Sequence, residues 1–303
     1  MFLHFTMDRT AYLNRLRMGM RLGGVMGFVH RAAYVFLLSL LFVPPAIAGM
    51  KHGVAIIIGN KNYGNGMPSV DFAHNDATAI ESFVRYRLGI TDVISVREAT
   101  KAKLDVLFGT EDNVRGVLAG RIRPGETDVV VFYSGHGMPG NVNEKAYLVP
   151  VDSFPNYIEL SGYSLDFLYG NLKKIGAKSV LVLIDACFSG TSENGSLVRN
   201  ASALGLKAKM PKTASRFTIL TAAQGSQMAR WDRKAKMGLF TSFLLRGLYG
   251  GADRPGFGNG DGRITLAEIR KYLDREMTRR ARRDFNQDQT AYIDGTENYV
   301  FGE

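Results

Sequence analysis

Short runs of β-branched and apolar residues alternate with amphipathic stretches along most of this chain, and this alternation restricts the possible folds. A run that is apolar at every position, such as residues 54–58, suits a strand that is buried on both faces. Amphipathic stretches of ten or so residues between such runs are typical of helices that cover a parallel sheet. The pattern therefore predicts an α/β fold with a mostly parallel sheet and helices on both of its faces.

The same pattern assigns individual elements. Strands are predicted at residues 54–58, 93–96, 127–133, 179–185 and 216–221. Helices are predicted at residues 76–88, 110–118, 164–175, 239–248 and 266–280. Thr110 is the predicted N-cap of the second helix, where Glu111 and Asp112 suit the positive end of the helix dipole. Residues 189–215 are polar and lack periodicity, so we expect a long exposed loop there.

The first 48 residues have the layout of a targeting segment. Basic residues lead to Arg31, an apolar run follows at residues 32–43, and Ala46-Ile47-Ala48 offers the small-x-small pattern of signal peptidase cleavage. This apolar run is shorter than the ~20 residues that a bilayer-spanning helix needs. Residues 1–48 are therefore predicted to be a cleavable secretion signal, and residues 49–303 the exported domain, periplasmic or secreted. An N-terminal membrane anchor is the alternative; otherwise we expect no stable membrane span.

Cysteine usage adds a constraint, because Cys187 is the only cysteine of the chain. Thiols tend to be paired or absent in the oxidising compartments that exported proteins reach. A single cysteine cannot form an intrachain disulfide, so Cys187 is a buried apolar residue, an intermolecular bridge or a reactive thiol. Its sequence neighbours must decide between these interpretations.

Two strand ends carry residues that are typical of a catalytic site. The predicted strand 127–133 leads into a Ser-Gly-His-Gly segment that contains His136, and the strand 179–185 leads into Cys187. Sites form just outside the carboxyl ends of parallel strands, so neighbouring strands would place His136 opposite Cys187. An imidazole near a thiol can take its proton, which nucleophilic cysteine catalysis requires. The amides of Gly137 and Cys187 are the predicted oxyanion hole.

These motifs resemble those of the caspase, metacaspase and bacterial orthocaspase family of cysteine peptidases. The caspase histidine precedes the cysteine by about 50 residues, and His136 precedes Cys187 by 51. The resemblance extends from about residue 54 to residue 248, and its most specific segments are Tyr133-Ser134-Gly135-His136-Gly137, Asp185-Ala186-Cys187-Phe188-Ser189-Gly190 and Gly238-Leu239-Phe240-Thr241. It implies a caspase-like central sheet of about six strands. Residues from about 252 to 303 would form a C-terminal turn-helix extension.

Asp185 stands where aspartate-specific caspases carry glutamine, two residues before the cysteine. Similarity to the metacaspase and orthocaspase branch implies a primary pocket that Asp76 and Asp185 make acidic, with Ser134 on its wall. A pair of carboxylates in a partly desolvated slot selects Arg or Lys and repels acidic side chains. The structural alternatives are a helix cap for Asp76 and a turn residue for Asp185. Trp231 could form the wall of an apolar subsite or only pack at the surface.

Metal binding is not predicted. Many metacaspases need calcium, and Asp152 stands where one ligand is expected, but residue 194 is Asn and further ligands are not evident. Residues 259–265 with Glu268 resemble half of an EF-hand loop, yet Phe257 occupies the first ligand position, where Asp is expected. A turn followed by a helix start is the better interpretation of this segment. The sequence therefore predicts no cofactor.

The chain is basic, with a formal net charge of +10. Five arginines crowd the predicted last helix: Arg275, Arg279, Arg280, Arg282 and Arg283. They could form a patch for nucleic acid or an anionic membrane, but charge runs commonly only solvate a helix face. We therefore expect no nucleic-acid partner.

The leading hypothesis is an endopeptidase that uses a His-Cys dyad and cleaves peptides or proteins after Arg or Lys. One alternative is a non-catalytic interaction or regulatory module of the same fold, and another is a related peptidase or transpeptidase of different specificity. Basic residues in the 189–215 loop match an acidic pocket, so self-processing of a zymogen is expected there. The candidate cleavage residues are Arg199, Lys207, Lys209 and Lys212.

Overall fold

The structure is a computed structural model, and it describes residues 50, 52–143, 145–197, 215–225 and 227–302. These residues all belong to one unit of the chain, Ile47–Glu303. The expected secretion signal at residues 1–48 lies outside the described residues, as do the four candidate cleavage residues, Arg199, Lys207, Lys209 and Lys212. Within the described ranges, no helix is long and apolar enough to cross a bilayer.

Thirteen strands and seven α-helices are present in the described residues. The strands are β1 (Gly53–Gly59), β2 (Asp92–Arg97), β3 (Asp128–Ser134), β4 (Gly137–Pro139), β5 (Ala146–Leu148), β6 (Tyr163–Ser164), β7 (Ser179–Asp185), β8 (Thr191–Ser192), β9 (Gly195–Ser196), β10 (Phe217–Thr221), β11 (Trp231–Asp232), β12 (Met237–Gly238) and β13 (Tyr292–Asp294). The helices are α1 (Ala73–Tyr86), α2 (Lys101–Phe108), α3 (Ile158–Ser161), α4 (Leu165–Lys174), α5 (Leu239–Arg246), α6 (Leu266–Tyr272) and α7 (Thr278–Phe285). Wider π-helical turns follow α5 (Gly247–Gly251) and join α6 to α7 (Leu273–Met277).

A six-stranded sheet with the order β13-β10-β7-β3-β1-β2 forms the centre of the domain. All neighbouring strands are parallel except β13, which is antiparallel to β10 at one edge. Every residue of β1 and of β3 is buried, because helices cover both faces of the sheet. One core packs around Ile57 and Phe132 and includes residues of α1 and α5. The other packs around Ile56 and Val131 and includes residues of α2 and α4.

Most of the predicted elements are present close to the expected bounds. Strand β7 covers residues 179–185 as predicted, and α4 begins after Ser164, whose hydroxyl accepts a hydrogen bond from the Asp166 amide at 3.2 Å. The short edge strand β13 was not predicted from the sequence. It has only three residues, which is too few for a periodic signal.

The helix predicted at residues 110–118 is wrong. The helix of this region is α2, which ends at Gly109 with a φ of 87°, and its N-cap is Thr100, whose hydroxyl accepts from the Lys103 amide. The hydroxyl of Thr110 instead accepts from the Asn113 amide within a turn. A Cβ at Gly116 would lie 2.6 Å from the Gly109 nitrogen, so the chain folds back closely here. The acidic residues that suggested a helix dipole belong to this turn.

The C-terminal region of the domain begins with a turn that leads into α6 and α7. Both carboxylate oxygens of Asp253 accept backbone amides, from Gly260 and Gly262, and Thr265 with Glu268 forms a capping box at the start of α6. In the loop that resembles half of an EF-hand, backbone amides therefore donate to both oxygens of the Asp253 carboxylate. The five arginines of the following helical segment all have acidic partners, Glu276, Asp284 and Asp288. This pairing favours a solvated helix face over a patch for anionic ligands.

Candidate active site

The register of the sheet brings the two predicted catalytic residues to one edge. Strands β3 and β7 are adjacent and parallel, and Ser134 pairs with Asp185. His136 and Cys187 follow this pair by two residues on each chain segment, so both lie beyond the carboxyl ends of their strands. Both are buried, with exposed fractions of 2% and 5%. They line one crevice, which is also lined by Asp76, Asp185, Glu193 and Trp231.

The imidazole of His136 is held in one tautomer. Its Nε2 atom lies 2.7 Å from the carbonyl oxygen of Pro68. A carbonyl only accepts hydrogen bonds, so Nε2 carries the proton and Nδ1 of the neutral ring is left as the base. Burial lowers the pKa of His136 to about 4, although the bond to Pro68 opposes this shift. The ring is therefore a neutral proton acceptor at physiological pH.

The thiol of Cys187 is also neutral in this state. Burial raises the pKa of Cys187, and the backbone amide of Ala229 and the hydroxyl of Ser189 partly offset the shift. A buried thiol beside a neutral imidazole forms an ion pair less readily than an exposed one, because both charged forms lose hydration.

Gly137, one of the two predicted oxyanion donors, packs tightly against Cys187. A Cβ at this position would lie 2.8 Å from the carbonyl oxygen of Cys187. The amide of Val149 donates to the carbonyl of His136 at 3.0 Å, which continues the register of β4 and β5 by one residue. The next amide, that of Gly137, therefore points away from β5. The Gly137 amide is therefore not part of the hydrogen-bond ladder between β4 and β5.

The two aspartates predicted for the specificity pocket approach the same glycine. Oδ1 of Asp76, near the start of α1, accepts the Gly238 amide at 2.8 Å. A Cβ on Gly238 would collide with the carboxylate of Asp185. Ser134 donates its hydroxyl to Oδ2 of Asp76 at 2.8 Å, and Asp185 accepts from the hydroxyl and the amide of Thr241. Asp76 is thus not a helix cap, since its side chain reaches across to β3 and β12.

The environment disfavours charge on both carboxyl groups. Burial raises the pKa of Asp76 well above its usual range, and the nearby Asp185 raises it further. Burial raises the pKa of Asp185 to about 6, although its two hydrogen bonds from Thr241 oppose this shift. A cationic side chain placed between the two carboxylates would stabilise their charged forms, because opposite charges attract strongly where water is excluded.

Trp231 also lines the crevice, in β11, where it pairs with Gly238 of β12. It is 6% exposed and packs edge-on against Phe72 with the ring centroids 5.4 Å apart. The guanidinium of Arg233 lies 5.4 Å from the centre of its ring. Glu193, in the turn between β8 and β9, accepts the Trp231 amide at 2.9 Å. Trp231 therefore lines the crevice, and it does not pack only at the surface.

The residues considered for calcium have structural partners instead. Oδ1 of Asp152 accepts the amide of Lys101 at the start of α2, and the side-chain amide of Asn194 donates to the carbonyl of Ser69. Among the described residues, no group of three or more His, Cys, Asp or Glu side chains is placed to hold a metal ion.

Several residues of the crevice were not identified from the sequence. Tyr63, Pro68 and Glu193 lie in loops that long-range contacts bring to the site, and no local pattern marks them. Gly238 and Thr241 belonged to a segment that resembled the family, but the sequence assigned them no role. In the structure, the Gly238 amide donates to Asp76, and the amide and hydroxyl of Thr241 donate to Asp185.

Comparisons with known proteins agree with this architecture. The domain is similar to the crystal structure of caspase-1 from Spodoptera frugiperda, with a TM-score of 0.54 and 14% sequence identity, over 84% of this chain and 90% of that chain. At this identity the similarity shows the fold alone, and it confirms the predicted caspase-like α/β class. A search of curated proteins finds no match.

The family follows from the sequence itself. The family model for the caspase domain of C14 peptidases matches residues 52–295. This chain therefore belongs to the caspase-domain family, whose members are cysteine peptidases that act on protein substrates.

Proposed function

We propose that this protein is an active cysteine endopeptidase that uses His136 and Cys187 and cleaves after Arg or Lys. The observation that carries the specificity is the pair of buried carboxylates, Asp76 and Asp185, beside the thiol. A guanidinium or ammonium between the two carboxyl groups would stabilise their charged forms, whereas a neutral or acidic substrate side chain would not.

The proposed reaction needs only groups of this chain, the peptide and water. Nδ1 of His136 takes the proton of the Cys187 thiol as Sγ bonds to the substrate carbonyl carbon. The carbonyl oxygen gains the electron pair and accepts hydrogen bonds from the amides of Gly137 and Cys187. The C–N bond then breaks, and His136 gives its proton to the leaving amine. Water hydrolyses the thioester with the same imidazole as base.

Self-processing is part of this proposal. The long exposed loop expected at residues 189–215 is wrong in its first part, because residues 191–196 form the hairpin β8–β9 and both Ser192 and Leu197 are buried. The rest of this segment carries Arg199, Lys207, Lys209 and Lys212. Exposed polar loops are preferred sites of proteolysis, and these basic residues match the acidic pocket. We expect the purified protein to yield two fragments that stay associated through the shared sheet, with the break preferentially after Arg199. The nick should be absent in Cys187→Ala prepared in the same way, whereas cleavage by a contaminating protease would persist.

Export is proposed as well, with cleavage after Ala48, on the basis of the apolar run and the Ala-Ile-Ala segment. Mass spectrometry of the mature N-terminus tests it. An intact chain recovered from the cytosol would contradict it.

A panel of fluorogenic peptides ending in Arg, Lys, Asp or Asn tests the activity and the specificity together. The wild type should cleave the Arg and Lys peptides, and Cys187→Ala should cleave none. Cleavage of only Asp or Asn peptides would indicate a related peptidase of other specificity. If a folded wild type cleaves nothing, before or after nicking, the chain is a non-catalytic module of this fold.

A further inference from the structure

Tyr63 and Tyr133 enclose the backbone of His136. The amide of His136 donates to the Tyr63 hydroxyl at 2.7 Å, and the Tyr133 hydroxyl donates to the carbonyl of His136 at 2.8 Å. The rings of Tyr63 and His136 are 4.5 Å apart between centroids. Together with the bond from Nε2 to Pro68, these contacts restrain the backbone and the ring of the proposed base.

Gly135 shows how closely the two hydroxyls converge. A Cβ at this position would lie 2.5 Å from the Tyr63 hydroxyl and 2.7 Å from that of Tyr133. The hydroxyls themselves are 3.4 Å apart. Position 135 must therefore lack a side chain for Tyr63 to reach the amide of His136.

The loop that carries Tyr63 is itself held in place. The carboxylate of Glu98 accepts the amides of Lys61 and Asn62 at 3.0 to 3.2 Å. The amide of Gly64 donates to the carbonyl of Val151 at 2.8 Å. Hydrogen bonds on both sides of Tyr63 thus fix its hydroxyl before any substrate arrives.

We infer that Tyr63 is a positioning residue for His136, an inference that rests on the proposed peptidase function. Its hydroxyl fixes the backbone of the base, and its ring limits rotation of the imidazole, so that Nδ1 stays directed at the proton it must take. Small displacements of a catalytic group can cost up to ~100-fold in rate.

The test removes one hydroxyl and keeps the ring. Tyr63→Phe should lower kcat for an Arg peptide by about tenfold with little change in KM, because positioning of the base affects the chemical step. It should also slow alkylation of Cys187, the only cysteine, by iodoacetamide at neutral pH. Tyr169→Phe is the matched control, since that buried hydroxyl has no hydrogen-bond partner in the described structure. It should change neither rate.

Wild-type kcat and alkylation rate in folded Tyr63→Phe would overturn the inference, and so would equal losses in the two variants. If Tyr63→Phe does not fold, Tyr133→Phe, which removes the hydroxyl on the other side of His136, decides by the same criteria. The alkylation measurement needs no peptide cleavage. A wild type that cleaves no peptide would therefore contradict the proposed function and leave the positioning role to be judged by alkylation.

A second observation concerns the hairpin β8–β9, whose turn bridges two walls of the crevice. On one side, the Glu193 carboxylate accepts the Trp231 amide at 2.9 Å and the Arg233 guanidinium at 3.1 Å. On the other side, the Asn194 side chain donates to the carbonyl of Ser69 at 3.1 Å. The Glu193 side chain is only 10% exposed.

The amide that donates to Glu193 lies on the edge of β11 that does not pair with β12. The amide of Leu239 donates to the carbonyl of Arg230 at 2.7 Å, which continues the register of β11 and β12 by one residue. The next amide, that of Trp231, therefore points away from β12 and into the crevice. Extended peptides commonly bind by adding their backbone to such an edge. A bound peptide carbonyl and the Glu193 carboxylate cannot use this amide together.

We propose that Glu193 is an intramolecular latch that competes with peptide substrates for the Trp231 amide. The latch also rests on the proposed function, but peptide binding can be measured without cleavage. Trp231 is the only tryptophan, so its fluorescence reports directly on this edge.

The experiment titrates Cys187→Ala with an uncleaved tetrapeptide that has Arg at the scissile position. Adding Glu193→Ala should tighten binding by about tenfold, because affinity is reduced by the fraction of molecules in which the site is occluded. Glu297→Ala removes another carboxylate that pairs with an arginine, Arg270, and should leave binding unchanged. Unchanged or weaker binding in Glu193→Ala, or none at all, would overturn the latch. Tighter binding together with a wild type that cleaves no peptide would contradict only the proposed function.

Discussion

Just beyond the end of β3, His136 is buried as a neutral ring, and both its Nε2 atom and its backbone are hydrogen-bonded within the protein. The neighbouring pocket instead buries two carboxyl groups side by side, those of Asp76 and Asp185. The first region is satisfied without a ligand, because the Pro68 carbonyl and the Tyr63 hydroxyl complete it. In the second region, burial raises the pKa values of Asp76 and Asp185, and the nearby Asp185 raises that of Asp76 further.

In the proposed mechanism, the two regions have different tasks, proton transfer for His136 and substrate selection for the two carboxyl groups. The base is positioned in advance, so little reorganisation is needed when the thiol loses its proton. In the proposed function, the electrostatic cost of the buried carboxylates is relieved when an Arg or Lys side chain binds, so that substrate selection depends on charge. Substitutions in the two regions should therefore have different signatures.

The largest expected effect comes from removing one carboxylate. Asp185→Ala should lower kcat/KM for an Arg peptide by about 150- to 5000-fold, because a buried charge without its partner costs about 3–5 kcal/mol. The rate of Cys187 alkylation by the uncharged iodoacetamide should change far less. Steady-state kinetics with Arg and Lys peptides provide the first value, and mass spectrometry of the alkylated chain the second. Unchanged Arg cleavage would place the pocket elsewhere.

A methyl group at Gly238 tests whether this glycine joins the two aspartates. Gly238→Ala should raise KM for Arg peptides about tenfold or more, because the methyl collides with the Asp185 carboxylate and displaces the amide that Asp76 accepts. Gly170→Ala is the matched control. No atom lies within 4 Å of a Cβ at Gly170, which is inside α4, so this change should leave KM unaltered and slightly stabilise the helix. Equal kinetics of the two variants would exclude the proposed role of Gly238.

A smaller effect is expected on stability. The folded state raises the pKa of Asp185 to about 6, so it binds more protons than the unfolded chain between roughly pH 4 and 6, and the free energy of unfolding falls as pH rises through this window. Asp185→Asn should remove this penalty and stabilise the domain at pH 7 by on the order of 2 kcal/mol. The gain should nearly vanish at pH 4. Urea unfolding of wild type and variant at both pH values measures it, and a loss of stability at pH 7 would contradict it.

The sheet and the positions of His136 and Cys187 could be predicted because their signals are local. Strands buried on both faces are continuously apolar, and the first residues beyond them lie at one edge in any parallel sheet. The edge strand β13 left no such signal. The helix expected after Thr110 was wrong because close backbone packing at Gly109 and Gly116 outweighs local charge preference.

The rest of the site depends on contacts between distant segments. Tyr63 is 73 residues from His136, and Glu193 is 38 residues from Trp231. Gly238 acts on Asp76 across 162 residues. No local periodicity or spacing encodes such contacts, so the support of the base, the latch and the closed pocket required the folded structure.

The pH dependence of cleavage, measured beside the titration of His136, tests the account most directly. In the free enzyme, His136 should stay neutral down to about pH 4 by NMR of its imidazole. The kcat/KM for an Arg peptide should already fall as pH decreases through about 6, because protonation of Asp185 removes the charge that attracts the substrate. The titration of His136 and the fall in kcat/KM should therefore be two separate transitions. A single transition, with activity lost only where His136 gains its proton, would contradict the account.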